Sequence, residues 1–458
     1  MATPAERPRP VLFPEYCKGC GRCIEACQHH CIEPGSALNR ETGLVPVSVH
    51  LEDCTGCGLC FDACPEPYAF RPALFEPTFA ASPAPQTTPD TTVALPASQP
   101  LVIKGMYASA IGTILAGCRH FFGYPITPST EGAELMARLL PQLNGHFVQA
   151  GSEVAAINMV YGAGAAGVRA TTFTSSPGFS LMLEGLSYMI GAAVPGVIVN
   201  VMRGGPGLGN IAPAQSDIKL ACRGLGHGDT HAIVLAPSTP QEMLDLTMLA
   251  FDLAFEYRNP VIVLADGYLA QMTGKVALPP TMIAPGLPAW AVSGDDTHRR
   301  NLISSISLAE ADLEADNLRL LDKYARIVDV EQRADLFECD DAEVVIVACN
   351  TPARMAKGAV GTLRARGIKA GLFRPITLWP FPIRALAPVV GRARRVIVVE
   401  ASAGQLEDEM RLALSRAEIE VRTRIEGLNR HGGVLPSQDE IVARALAEHA
   451  VDSAGAAT

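Results

Sequence analysis

A chain of 458 residues that is 48% hydrophobic has material for about three domains with substantial cores. Only 18% of its residues are charged, the formal net charge is -10, and no run of lysine and arginine breaks that balance, which excludes a nucleic-acid surface. Any anionic substrate must then meet positive groups gathered locally.

The first eight residues carry no apolar core after their charges, so no secretory leader is predicted. Thirteen cysteines in such a chain point to metal ligation and free thiols in a reducing cytoplasm. Within residues 12–70 they form Cys17-x2-Cys20-x2-Cys23-x3-Cys27 and Cys54-x2-Cys57-x2-Cys60-x3-Cys64-Pro65, two copies of one spacing. Three thiolates at x2 spacing wrap a cubane while the fourth reaches the other cluster, which predicts a bacterial-ferredoxin-like module over residues 1–75 with two [4Fe–4S] clusters. Cys17, Cys20 and Cys23 pair with Cys64, and Cys54, Cys57 and Cys60 with Cys27. Two zinc sites are the competing reading, but zinc commonly separates two CxxC pairs by a longer insert. The first run departs from the pattern, since Gln28-His29-His30-Cys31 stands where a proline usually follows the fourth cysteine. Cys31 is a spare thiol, and His29 and His30 read either as solvated loop residues or as donors near a cluster.

Residues 76–100 are rich in proline, alanine, serine and threonine and read as a semi-extended linker. From 101 to 285 apolar strand-like runs at 170–174, 197–202, 232–235 and 261–264 alternate with helix-compatible segments, the pattern of a parallel sheet covered by helices. A second α/β domain is predicted over 341–450, with strands at 344–348, 369–373 and 395–400 and helices at 353–366 and 405–414. The intervening 286–340 reads as a connection with a helix near 308–328. The apolar stretch 181–202 is interrupted by Glu184, Gly185, Gly191 and Pro195, so it reads as a buried helix and strand, and no membrane span is predicted.

Three places in the first α/β domain carry chemistry. In Tyr124-Pro125-Ile126-Thr127-Pro128-Ser129 two prolines bracket Ile126-Thr127 and stiffen the turn ahead of a helix start at Ser129 or Thr130. Glu153 is the lone charge between Phe147 and Gly167, which either begins a helix or has a function that needs a carboxylate there. Arg203 follows the apolar run 197–202, past a strand's carboxyl end where open α/β sheets bind ligands, and its fork suits a carboxylate; pairing with a surface acid is the alternative. Gly162-x-Gly164-x-x-Gly167 matches a dinucleotide fingerprint, but its helix-like residues precede the strand, so it reads as a close helix contact.

Taken together, Tyr124 to Ser129, Gly151-Ser152-Glu153-Val154-Ala155-Ala156, Ser176-Pro177-Gly178, Met202-Arg203-Gly204-Gly205-Pro206 and Arg374-Pro375-Ile376-Thr377-Leu378-Trp379-Pro380 resemble the α subunits of the 2-oxoacid:ferredoxin oxidoreductases. The resemblance implies a thiamine-diphosphate-enzyme pyrimidine-type domain followed by a transketolase C-terminal-like domain. It further implies coenzyme A-dependent oxidative decarboxylation, with the branched-chain enzymes acting on 3-methyl-2-oxobutanoate as the nearest pattern. By that resemblance Glu153, Thr127 and Arg203 are the catalytic residues, with Glu153 meeting N1′ of the aminopyrimidine and Arg203 near the 2-oxoacid carboxylate; Tyr124, Pro125 and Ile126 join Glu153 in binding the cofactor, and His227 approaches the site. Ala265-Asp266-Gly267 lacks the asparagines of a metal-diphosphate motif, so a β subunit is expected to hold thiamine diphosphate with Mg²⁺. A γ-type chain is expected for coenzyme A, and ferredoxin or another acceptor for the electrons. Enzymes of 2-oxoglutarate or aromatic 2-oxoacids, and a non-catalytic electron-transfer adaptor, are the alternatives.

Overall fold

The computed structural model describes residues 9–40, 42–66, 68–72, 87–421 and 423–447. The N-terminal eight residues, the first part of the expected linker and the end of the last domain lie outside these residues. Two compact units are present, one combining the N-terminal segment up to Gln86 with Gly294–Leu318, the other comprising Thr87–Ser293 and the chain from Arg319 onward.

The cysteine repeats impose a repeated backbone on the first unit. Gly21 at φ 78° and Gly58 at φ 85° precede the short helices Arg22–Ala26 and Leu59–Ala63, a left-handed turn that glycine adopts without Cβ strain. Each helix ends on the fourth cysteine of its run, with the Cys27 N–H donating to Ile24 O and the Cys64 N–H to Phe61 O. Antiparallel pairs join Pro10–Leu12 to Phe70–Pro72 and Ile32–Glu33 to Ser48–Val49 around Cys17, Cys23, Ile32, Val47, Cys60, Ala69 and Phe70. Residues 294–318, expected to be plain connection, also belong to this unit. Ile306 packs on Gly43, where an added Cβ would lie 2.9 Å from the isoleucine Cγ2.

The second unit is built on a seven-stranded sheet ordered Thr377–Trp379, Ile233–Leu235, Pro260–Asp266, Gly196–Met202, Ala170–Ser175, His120–Gly123, His146–Gln149. The last six strands run parallel and Thr377–Trp379 is antiparallel to its neighbour. Every position of Gly196–Met202 and Pro260–Asp266 is buried, because helices cover both faces, which is why the valine and isoleucine runs are continuous rather than alternating. Gly105–Leu115 and Pro240–Tyr257 pack closely through Gly112, whose missing Cβ would lie 2.6 Å from Leu244 O.

A five-stranded sheet follows, ordered Ala334–Phe337, Ala370–Pro375, Val344–Val347, Arg395–Glu400, Arg424–Asn429, parallel except at its first pair. The Arg374 to Pro380 motif is the joint between the sheets. Arg374 takes both oxygens of Glu242 at 2.8 and 2.9 Å, and Trp379 stacks on His231 with centroids 4.5 Å apart. Gln215 adds a second tie, donating to Cys349 O and Asn350 Oδ1 and accepting the Ala401 N–H at 2.8 Å.

The expected 76–100 linker requires correction over its described part. Thr91–Ala94 pairs antiparallel with Thr281–Ala284. Its positions are all exposed, so no apolar alternation marked it, and the β-branched Thr91-Thr92-Val93 pairing in a two-stranded sheet with Thr281–Ala284 outweighs the surrounding composition. Gly162 and Gly164 fall within the helix Glu153–Ala165, where Gly164 packs against Pro195 O rather than opening a nucleotide loop.

Candidate active site

The carboxyl ends of His120–Gly123, Ala170–Ser175 and Gly196–Met202 open onto one region, and each sends a loop or helix start into it. After the first strand, the helix Thr130–Leu139 begins behind Ser129, whose hydroxyl caps no helix N–H. It turns back instead and donates to Ile126 O at 2.8 Å, fixing the loop that carries Thr127. Thr127-Pro128 is cis, Gln271 Nε2 donates to Pro128 O, and Lys104 bridges Gln271 and Glu131. Tyr124, Pro125 and Thr127 are exposed and Ile126 half-buried.

Glu153 is the first residue of the helix Glu153–Ala165, after Ser152, whose Oγ accepts the Ala155 N–H at 3.2 Å. The helix start is therefore capped by serine. Glu153 as a residue is 5% exposed, and its carboxylate has no hydrogen-bond or ion-pair partner among the described residues. It rests on Gly178, where a Cβ would stand 2.5 Å from Oε1, beside Thr174, whose buried Oγ1 also lacks a partner.

Arg203 stands just past Gly196–Met202, 9% exposed. Its guanidinium donates to Thr127 O at 2.8 Å and Leu208 O at 3.4 Å, Nε is buried without a partner, and no carboxylate of the described residues lies in ion-pair range. The alternative of an arginine paired with a surface acid is not what the structure contains. The Arg203 backbone N–H donates to Ser176 Oγ at 3.0 Å, and Ser176 donates to Asp217 at 2.6 Å. Asp217 also accepts from Asn200, and burial raises its pKa above the ordinary carboxylate value. Ser176 touches Arg203 while Gly178 touches Glu153, so one turn of the helix Ser176–Leu181 holds both groups in place.

A cleft of about 850 Å³ extends from Arg203, lined by Ser176, Asp217, Lys219, Arg223, Gln405 and His431 among others. Sequence reasoning missed Asp217, Lys219, Arg223 and His431. None has ligand spacing, and they meet only because the 401–405 and 431–432 loops fold against the first sheet. His227 does not line this cleft; its ring stands edge-on to Tyr188.

In the other unit, Cys27, Cys54, Cys57 and Cys60 line one small cavity with Cys31 and His29. Cys23 faces Cys17, Cys64 and Cys20; burial first, then these neighbours, pushes its thiol up to about 11. Both groups join three thiols of one run to the fourth of the other. Cys31 is buried, its N–H donates to Cys27 Sγ at 3.3 Å, and burial with Cys27 raises its thiol to about 11. Among the described residues no three ligand-type side chains close on one point as they would around a single metal ion.

Comparison with known proteins decides the family. The description "Pyruvate flavodoxin/ferredoxin oxidoreductase, thiamine diP-bdg" matches residues 111–288, "Pyruvate:ferredoxin oxidoreductase core domain II" residues 342–441, and "4Fe-4S dicluster domain" residues 16–67. Ketoisovalerate oxidoreductase subunit VorB of Methanothermobacter thermautotrophicus is 48% identical over 328 residues, 71% of this chain and 93% of that protein. The chain belongs to the 2-oxoacid:ferredoxin oxidoreductase family. The 2-oxoglutarate synthase subunit KorA of Archaeoglobus fulgidus is 41% identical over 316 residues, 68% of this chain and 90% of that one. Among solved structures, a 2-oxoglutarate:ferredoxin oxidoreductase from Magnetococcus marinus with 2-oxoglutarate, coenzyme A and succinyl-CoA bound superposes with TM-score 0.69 at 29% identity, over 78% of this chain and 67% of that chain. As a 2-oxoacid:ferredoxin oxidoreductase subunit the chain works within a multisubunit enzyme whose electrons pass through [4Fe–4S] clusters. Thr127, Glu153 and Arg203 all fall in the thiamine-type segment, and both cysteine runs in the dicluster segment. Among the described residues no helix is long and apolar enough to cross a membrane.

Proposed function

We propose that this chain is the α-type subunit of a cytoplasmic enzyme that converts 3-methyl-2-oxobutanoate and coenzyme A to the acyl thioester and CO₂. The C1–C2 bond of the 2-oxoacid breaks, a bond forms between C2 and sulfur with loss of the thiol proton, and two electrons leave singly. Thiamine diphosphate with Mg²⁺, when bound, supplies the electron sink for that cleavage. The observation that carries the reading is the pair formed by a buried Glu153 without a donor and an Arg203 without a carboxylate, set on either side of one helical turn. Glu153 shares a proton with the aminopyrimidine, Arg203 takes the substrate carboxylate, and the Tyr124 to Thr127 loop lies against the cofactor. Cys17, Cys20, Cys23 and Cys64 hold one cluster, and Cys54, Cys57, Cys60 and Cys27 the other, with ferredoxin or another acceptor beyond.

A β subunit brings the diphosphate half of the thiamine site, and a γ-type chain completes the complex. The surface around Glu153 suits such a partner, since Val154, Met159, Leu181 and Tyr188 are exposed on neighbouring helices. Apolar exposure of that kind marks an interface. The branched-chain substrate is favoured over 2-oxoglutarate because identity to the ketoisovalerate relative is 48%, against 41% for the 2-oxoglutarate one. A substrate panel on the copurified complex tests this, with the highest kcat/KM expected for 3-methyl-2-oxobutanoate. Preference for 2-oxoglutarate would overturn the substrate, and no oxidation of any 2-oxoacid by a complex with intact clusters would leave only an electron-transfer adaptor.

A further inference from the structure

The two cysteine runs fold as near copies, yet their surroundings are unequal. Each opens its helix from a left-handed glycine, Gly21 or Gly58, and closes it on the fourth cysteine, Cys27 or Cys64. After Cys64 comes Pro65, and Cys64 Sγ donates to Glu66 O at 3.5 Å. After Cys27 come the exposed Gln28, His29 and His30, and then the buried Cys31. Among the described residues one group therefore gathers four thiols, Cys17, Cys20, Cys23 and Cys64. The other gathers five, because Cys31 lines the same cavity as Cys27, Cys54, Cys57 and Cys60. A cubane cluster needs only four.

The backbone is shaped to bring the fifth thiol there. The His30 N–H donates to Cys27 O at 3.1 Å and closes a turn, with His30 itself at φ 51°, a left-handed conformation that a residue with a Cβ seldom enters. That reversal returns the chain to Cys27, where the Cys31 N–H donates to Cys27 Sγ at 3.3 Å and the two side chains hydrogen-bond to each other. Cys31 is anchored in that place. Its carbonyl accepts the His50 N–H at 2.8 Å, and Ile32–Glu33 pairs with Ser48–Val49 directly after it. Packing alone accounts for a small buried cysteine. It does not account for a thiol bonded to a ligand inside the cavity which that ligand lines.

Resting on the assignment of Cys54, Cys57, Cys60 and Cys27 to one cluster, we infer that Cys31 is a reserve ligand of that cluster, which takes the place of Cys27 when the Cys27 bond is lost. In the exchange the iron–sulfur bond to Cys27 Sγ breaks and one to Cys31 Sγ forms. The Cys31 proton passes to the freed Cys27 thiolate, its hydrogen-bond partner, so neither the charge of the site nor the oxidation state of the iron changes. The turn between the two cysteines is exposed, so it can shift without opening the buried group that includes Ile32, Val47 and Cys60. The contact of Cys31 is with Cys27, and rescue is expected at that ligand.

Cys27→Ala, Cys31→Ala and the double variant are to be made in the full chain, purified anaerobically in its complex, and read by iron content and by electron paramagnetic resonance of the reduced clusters. Cys27→Ala is expected to keep the wild-type iron, about eight atoms in this chain, with the resonance of one cluster shifted by its changed ligand. Cys31→Ala should keep both iron and spectrum, and the double variant should lose about four irons. Loss of about four irons from either single variant, or full retention in the double variant, would overturn the reserve ligand. Where Cys27→Ala does not fold, the intact ligand set still decides. Under limited air exposure the cluster absorbance of Cys31→Ala should bleach faster than that of the wild type, and equal rates would overturn the inference. Undiminished iron in Cys57→Ala would instead overturn the grouping of ligands on which it rests.

Discussion

Gly178→Ala tests whether the Glu153 carboxylate must stand where the structure holds it. The added Cβ would lie 2.5 Å from Glu153 Oε1, whereas ordinary van der Waals contact begins at 3.4 Å. It would also press on Thr174 Oγ1, on a wholly buried strand that has nowhere to go. The carboxylate, at the end of a longer side chain, must therefore give way by about 1 Å, a displacement that can cost roughly 10²-fold in rate when a reacting group is misplaced. Overpacking should cost about 1–3 kcal/mol of stability, small enough for a folded complex to be purified. Glu153→Gln is the companion, nearly isosteric but unable to share the proton, with an expected loss of about 10²–10⁴-fold. Both are read by 2-oxoacid-driven reduction of an artificial acceptor and by hydrogen–deuterium exchange at C2 of the bound thiamine, with cluster absorbance as the control. Wild-type exchange and turnover in both variants would mean that Glu153 only begins its helix.

Two further outcomes are expected. Arg203→Lys keeps the charge but loses the fork, so kcat/KM for the 2-oxoacid should fall at least about tenfold; an unchanged value across the substrate panel would leave Arg203 a structural role. Cys57→Ala should lower anaerobically measured iron from about eight to about four atoms per chain and slow electron exit, whereas stoichiometric zinc without iron in the wild type would sink the cluster assignment.

The parts of this protein that are local in sequence were legible and the parts made by tertiary contact were not. The cysteine runs declare themselves because three thiols at x2 spacing already wrap one cluster, and the buried strands because β-branched runs need no partner to be noticed. Thr127, Glu153 and Arg203 drew attention as a stiffened loop, a lone charge and an arginine beyond a strand. Lys219 and His431 had no such mark, for they meet across a cleft between segments more than 200 residues apart. The motif from Arg374 to Pro380 was visible, but its work as a joint was not, because its partners Glu242 and His231 lie on distant elements. Thr91–Ala94 was hidden by its exposure on both faces, and the association of 294–318 with the cysteine unit by the absence of any apolar period there.

The way Arg203 is held bears on what it can do. Two of its N–H groups are met by backbone carbonyls, Thr127 O and Leu208 O, which accept hydrogen bonds without cancelling the positive charge. A carboxylate in the same place would have stabilised the empty site and competed with the substrate for the fork. Asp217 is the acid that shares its surroundings, and it is kept from pairing by Ser176 and Asn200, which take Oδ2 at 2.6 and 2.9 Å. The Ser176 proton is thereby directed to Asp217, leaving the serine oxygen free to accept the Arg203 backbone N–H. Position is thus transmitted from Asp217 to Arg203 through a neutral hydroxyl, while the charges of acid and base stay separate. The same separation holds for Glu153, whose oxygen is kept against Gly178 rather than turned toward the guanidinium. On the proposed function, Glu153 and Arg203 find their missing partners in the cofactor and the substrate.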